Sequence, residues 1–471
     1  MKQYQKFRNS SLDTSPVGLY SGSDESGSVY TPAGARILAW TGTEGIHFCQ
    51  TEGFGGMVFV VDPTAPPGDC IHPVAASLLD FIGLLIACKD ASLIAQSYQW
   101  SRIRFEELTA AIRPTMKMRS VLRALENTYH PNSISDPYGY IAKQQNDFDY
   151  ASLPLQPEYF EWCPIRPGRP KWEVGFGTGF ADYCEKGKAG QEFAINKNFL
   201  WNGENWSVPA VYLCEHGIVV DSYLEVPIQA IDRFLEKWAV RMTGAMSIEE
   251  SMRCQLDDPL DLEIRGDLFV NGKPAPIRKA HIQRWNPRSD NNWNARRTLE
   301  HYGLDREKGY LLRRECFLRK GKNPPIRTMD LTLQAEPVSV PGQRFIAPPA
   351  GESMTFVHPV TNEEHTLTVT SQVREALDPN FLSNHPCCYT RLNFSVEPRI
   401  SPDWFRVVDC DPGDQINGSI DTPSAVQHFG KIPSAGHCAV SSVRYTPAEQ
   451  ITWRMVFRQK IRQDVSIPLL P

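Results

Sequence analysis

Two histidines set the first chemical question. The segment runs Thr355-Phe-Val-His358-Pro-Val-Thr-Asn-Glu-Glu-His365-Thr-Leu-Thr-Val369. With Thr361-Asn362 as a two-residue turn, Val360 faces Glu363 and His358 faces His365. Directly opposite Cβ atoms lie about 4.5–5.5 Å apart. Two neutral imidazoles there can begin a zinc site, which needs two more ligands, or one or two plus water. His385, Cys387, Cys388, Asp409, Asp411 and His437 lie in the same half, but no spacing ties any of them to the pair. This predicts a metal-dependent hydrolase seated on His358 and His365. The competing reading is a pair of strand histidines that pack and hydrogen-bond.

Charge raises the second question. Residues 278–327 hold 14 Lys and Arg against five Asp and Glu, a local +9 in a chain of −5. Arg296, Arg297, Arg313, Arg314, Arg319 and Lys320 are the candidate anion-binding residues, with Tyr302, Tyr310 and Phe317 interleaved. Such a surface suits nucleic acid or a phosphorylated ligand. Arginines on strands can equally pair with acids elsewhere in the fold.

The string Glu173-Val-Gly-Phe-Gly-Thr-Gly179 resembles the glycine loop of Rossmann-type methyltransferases, where glycines let the backbone approach S-adenosylmethionine. Its context differs. FADYCEKGKAGQ lacks a helical apolar period, and INKNFLWNGEN reads as a hairpin where an acid-tipped strand belongs. A glycine-rich turn is the expectation, with no cofactor. His385-Pro-Cys387-Cys388 and His437-Cys438 put Cys beside His, but neighbours on a strand point to opposite faces. No catalytic residue is assigned.

The elements that must position these groups follow from periodicity. Residues 1–33, rich in Ser, Gly and Asp, read as an irregular arm. Ala35–Trp40, Gly45–Gln50 and Gly56–Asp62 read as a three-stranded meander. Val74–Cys88 reads as a buried helix, followed by helices over 101–112, 115–127 and 138–147. Asn202-Gly203 and Asn271-Gly272 mark hairpins. Pro227 opens an amphipathic helix to Met242, and Ser247 with Glu250 makes a capping box. Beyond residue 262 nearly everything reads as strand, with one helix at Trp293–Tyr302. The expected architecture is an α+β domain over 34–246, a linker with a short helix over 247–261, and a mainly antiparallel β domain, sandwich or barrel-like, over 262–471.

Composition frames this. The 471 residues are 41 % hydrophobic and 22 % charged, ordinary globular usage. The apolar run Pro73–Cys88 is shorter than the ~20 residues of a membrane span, and Asp80 interrupts it. No apolar leader is evident near Met1, and the 12 cysteines form no CxxC pair. A reduced, cytoplasmic, non-membrane protein is the expectation.

Val58-Phe-Val-Val-Asp62, then Cys70-Ile-His-Pro-Val-Ala-Ala-Ser-Leu-Leu-Asp-Phe-Ile-Gly-Leu-Leu85, resembles the end of SUKH-superfamily immunity domains. There a strand leads through a turn to a helix that packs on the sheet. The resemblance covers about 30 of the 471 residues and implies a protein-binding α+β domain without catalysis or cofactor. No constellation combines nucleophile, base and stabiliser at an interpretable spacing, so the leading expectation is a non-catalytic binding or interaction protein. The metal hydrolase and polyanion binding through 278–327 stand as alternatives.

Overall fold

The computed structural model describes residues 2–22, 28–163, 165–168, 172–180, 184, 187–244, 246–290, 293–319, 325–376, 388–410 and 437–470. Helices and strands mix, and the sheets are antiparallel. Two compact units interleave along the chain. Unit 1 takes 1–199, 204–228 and 277–324; unit 2 takes 200–203, 229–276 and 325–471.

Unit 1 begins with α1 (Lys2–Arg8), so the expected irregular arm is partly helical. The reason is burial: Phe7, Val17 and Leu19 join the first core. Strands β1 (Arg36–Trp40), β2 (His47–Gln50), β3 (Val58–Val61) and β4 (Ile71–Ala75) form a meander in that order. β4 is a correction to the sequence reading, which began a helix at Val74. Pro73 cannot donate to a ladder, and it sits in the last strand of this sheet, where a missing donor costs least. The helix α2 (Leu78–Cys88) starts later, with Ser77 accepting from the Asp80 amide. It buries Phe81, Ile82, Leu84 and Leu85 against Phe48, Val58 and Val60. Helices α3 (Ala91–Gln96), α4 (Arg102–Ala111), α5 (Met116–Tyr129), α6 (Pro137–Asp147) and α7 (Tyr159–Trp162) follow.

The second sheet of unit 1 has the order β10-β11-β7-β6-β5. Its strands are β5 (Gln191–Trp201), β6 (Glu204–Cys214), β7 (Gly217–Val226), β10 (Ile277–Trp285) and β11 (Gly309–Leu318). Asn202 and Gly203, both at positive φ, close the β5–β6 turn. The helix α10 (Trp293–Tyr302) lies between β10 and β11 in sequence. β11 pairs with β7 along its whole length, from Gly309↔Val226 to Leu318↔Gly217.

Unit 2 carries α8 (Ile228–Met242), which buries Ile231 and Trp238, and α9 (Ile248–Asp257), whose capping box is present as read. One sheet has the order β20-β12-β8-β9, from β8 (Ile264–Val270), β9 (Lys273–Ala275), β12 (Met329–Ala335) and β20 (Val465–Leu470). A three-stranded sheet, β13-β19-β17, uses β13 (Val338–Ile346), β17 (Phe405–Asp409) and β19 (Thr452–Gln459). A four-stranded sheet runs β14 (Ser353–Val357), β15 (Glu364–Ala376), β16 (Cys388–Glu397) and β18 (His437–Val440). These last two sheets share one core: Trp453, Met455, Phe457 and Phe405 meet Phe356, Leu367, Leu392 and Phe394. Among the described residues no sheet closes into a barrel.

Candidate functional site

The histidine pair differs from the expected register. Phe356, not His358, stands opposite His365, and His358 lies beyond the end of β14. Pro359 supplies no amide for a ladder, so the strand stops and the turn lengthens. The His358 Nδ1 accepts from the Val360 and Thr361 amides, at 3.3 and 3.2 Å, and Asn362 takes positive φ. The rings still approach, with centroids 6.2 Å apart. His365 is buried, stacks on Phe356 and bonds the Pro398 carbonyl through Nδ1 at 2.9 Å. Burial and then His365 push the His358 pKa down. No group of three or more His, Cys, Asp or Glu placed to hold a metal occurs among the described residues. His437 stacks on Phe394, with Cys438 following it on β18. Asp409 pairs with Arg444 at 2.9 Å. His385, Cys387 and Asp411 lie outside the described residues.

Three arginines of the basic stretch, Arg296, Arg313 and Arg314, are turned inward. Arg314 is buried and donates from Nε and Nη2 to the two oxygens of Asp221, each at 2.8 Å. The same carboxylate accepts from Tyr302 at 2.7 Å, and Tyr302 meets Tyr212, which accepts from Trp172. Arg313 pairs with Glu315 at 2.7 Å, both buried. Arg296 pairs with Asp69 and donates to the Tyr98 carbonyl at 3.1 Å. Arg306 reaches Glu300, Lys308 reaches Glu225, and Arg288 reaches Glu107. Arg297 and Arg319 are half-buried, and the Arg319 amide bonds the His216 carbonyl. Lys320 lies outside the described residues. Six of the fourteen cations thus meet carboxylates of the same unit, while Arg278, Lys279, Arg284 and Arg327 are exposed.

The glycine string closes as a turn. The Thr178 amide bonds the Gly175 carbonyl at 3.2 Å, and Gly177 takes φ of 88°. Lys279 and His281 donate to the Gly177 carbonyl, and Arg314 to that of Gly179.

A different constellation stands in unit 2. Lys237, Trp238, Arg241, Ser247, Glu249, Glu250, Arg253 and Arg344 line an open cleft of about 490 Å³. Helix α8 supplies Lys237 and Arg241, one turn apart on its polar side. Helix α9 supplies Glu249 and Arg253, likewise one turn apart and paired at 2.8 Å. The ladder between β13 and β19 puts Arg344 directly opposite Arg454. Like charges directly opposite repel. One carboxylate separates them: Glu249 Oε2 accepts from Arg454 at 2.6 Å and from Arg344 at 3.3 Å, while its Oε1 faces Arg253. Three guanidinium groups share it. Arg454 is buried and also donates to the Gly342 carbonyl, so it is fixed. The side chains of Lys237, Arg241, Arg253 and Arg344 are each more than half exposed.

The two other acids are already engaged. Glu250 accepts from the Ser247 amide and hydroxyl, at 3.0 Å each, and pairs with Arg241. Those Ser247 bonds, then Arg241, hold its carboxyl below the usual range. Asp257 is lowered too: burial opposes this, and Lys237 at 2.6 Å with the Trp238 indole at 2.8 Å outweighs it. With their partners Arg454 and Asp257 included, the lining groups are five cations and three carboxylates, a surplus of two positive charges.

Sequence reasoning missed this site. The pairs Lys237/Arg241 and Glu249/Arg253 have helical spacing, but such pairs are ordinary on exposed helices. Arg344 and Arg454 meet only through the ladder, which no local spacing announces. No protein-family model matches the chain, and neither a curated protein nor a solved structure matches it.

Proposed function

We propose that this chain is a binding protein and that its ligand is an anion seated in the cleft lined by α8, α9 and β13. The observation that carries the reading is the sharing of Glu249 by Arg253, Arg344 and Arg454. A guanidinium has five donors in a fixed fork, and a carboxylate has about four acceptor sites in all. Three forks on one carboxylate leave donors unused and two like charges opposed. A second anion beside Glu249 relieves both. The bland alternative is that the arginines merely clasp α9 to the sheet. A clasp needs Arg454, which is buried, but not the exposed Arg253 and Arg344 together.

Isothermal titration calorimetry with pyrophosphate at low salt tests the reading. Saturable binding is expected, weakened at least ~10-fold by Arg253→Ala with Arg344→Ala, since each charge-assisted contact contributes about 1.5–3 kcal/mol. Undiminished binding in a folded double variant sinks the assignment. A protein-binding role for the first sheet and α2 of unit 1 is carried by the resemblance of residues 58–85 to SUKH immunity domains alone.

A further inference from the structure

The ligand class of this cleft follows from its charge and size, and the inference rests on the anion-binding reading above. We propose that the cleft takes a phosphate monoester of a small hydrophilic molecule, with the phosphoryl group beside Arg253 and Arg344.

Charge comes first. The lining carries two more cations than carboxylates. A carboxylate ligand supplies one negative charge per group. A phosphate monoester supplies about −1.5 to −2 on a single atom centre at pH 7, with three acceptor oxygens. It alone neutralises the surplus at one point. Donor geometry agrees. Arg253 and Arg344 reach the same carboxylate from α9 and from β13, so two guanidinium groups from different elements stand beside one point of the cleft. Guanidinium forks suit an oxyanion with several oxygens. The first turn of α9 adds little of its own, because Ser247 and Glu250 already occupy its amide end.

Size comes second. A cleft of about 490 Å³ lies within the roughly 300–1,000 Å³ range of small-molecule sites, well beyond what a bare oxyanion fills. Apart from Trp238, every lining side chain is polar or charged. The body attached to the phosphate is therefore hydrophilic, with the Lys237 ammonium, which has three donors and spends one on Asp257, within the same lining. A large apolar ligand finds no matching wall there.

Calorimetry on the full chain at low salt and pH 7.5 tests this with four probes: glucose 6-phosphate, inorganic phosphate, succinate and glucose 6-sulfate. The phosphate ester is expected to bind at least ~10-fold more tightly than succinate or the sulfate ester, and more tightly than inorganic phosphate. Lowering the pH to 5.5 protonates most of the ester, whose second pKa is about 6, and should weaken it ~3- to 5-fold. The sulfate ester, a monoanion throughout, should not change. No histidine lines the cleft among the described residues, so the ligand supplies this titration. The pH test uses unmodified protein and survives a variant that fails to fold. Equal affinity for succinate and the phosphate ester overturns the phosphoryl assignment and leaves the anion site standing. Inorganic phosphate binding as tightly as the ester overturns the small-molecule body. If none of the four probes binds and pyrophosphate also fails, the site itself falls.

Discussion

At the residue scale, the two groups of arginines behave oppositely, and the difference is testable. Arg314 is matched: one bidentate carboxylate, plus the Gly179 carbonyl and aromatic rings at Trp172 and Phe180. Removing its partner by Asp221→Ala strands a buried guanidinium, which typically costs about 3–5 kcal/mol. Urea denaturation should show that loss for unit 1. Arg344 is mismatched, facing Arg454 across the ladder. Arg344→Ala should be neutral or stabilising by up to ~1 kcal/mol without ligand, and should remove stabilisation by glucose 6-phosphate. A stability loss above ~1 kcal/mol would mean Arg344 serves the fold. Sequence could not separate these arginines. Arg313 and Arg314 are adjacent, and only strand pairing shows that Arg314 stands opposite Asp221. The +9 stretch was legible as charge; its partners Asp69, Glu107, Asp221 and Glu225 are remote in sequence.

At the element scale, what local chemistry dictates was legible. Asn202-Gly203 and Asn271-Gly272 sit at positive φ in their hairpins, and Ser247 caps the helix it precedes. What failed was the boundary of a mostly apolar run: β4 and α2 both lie within Ile71–Cys88, and periodicity alone does not divide a largely buried stretch. Gly83 inside α2 shows why a helix tolerates a poor former. A Cβ there would lie 2.2 Å from the Asn132 carbonyl oxygen, so the glycine admits a close backbone approach. A Gly→Ala change inside a helix usually gains about 0.5–1 kcal/mol. Gly83→Ala should instead lose about 1–3 kcal/mol through overpacking, read as a fall in Tm. A rise in Tm would mean that the 131–134 segment yields readily.

At the scale of the whole molecule, chain order and spatial order part company. β10 and β11 follow two helices and two strands of unit 2, yet β11 fills the sheet beside β7. A sequence reader groups strands by proximity, because neighbours in sequence usually neighbour in space. Here residues 277–324 return to unit 1, and Arg314 brings the partner that Asp221 requires. A fragment ending at residue 246 should therefore not fold as a domain. It exposes the β7 edge, strands Asp221 in a buried position, and lacks Trp285, Tyr310 and Leu312 from the core they share with Phe180. Limited proteolysis and circular dichroism of that fragment should show an aggregating or unfolded chain. Adding residues 277–324 through a flexible linker should restore protection.

Acid stability also belongs to this scale, because buried histidines occur in both units. In unit 1, burial and then Arg296 push the His72 pKa down to about 3, and burial lowers that of His47; in unit 2, burial lowers that of His437. Each folded pKa lies below the unfolded value of about 6.5, so the unfolded chain binds more protons. Stability from these groups is full above pH ~6.5 and is lost as the pH falls toward the folded pKa. For His72 the window runs from about 6.5 to 3 and amounts to several kcal/mol at its foot. His72→Phe removes that titration while giving up the contact of Nδ1 with the Tyr150 hydroxyl at 3.1 Å. The variant should be less stable at pH 8 and should lose stability less steeply between pH 6 and 4. Parallel curves for the two proteins in urea denaturation across that range would mean that His72 does not govern the acid limb.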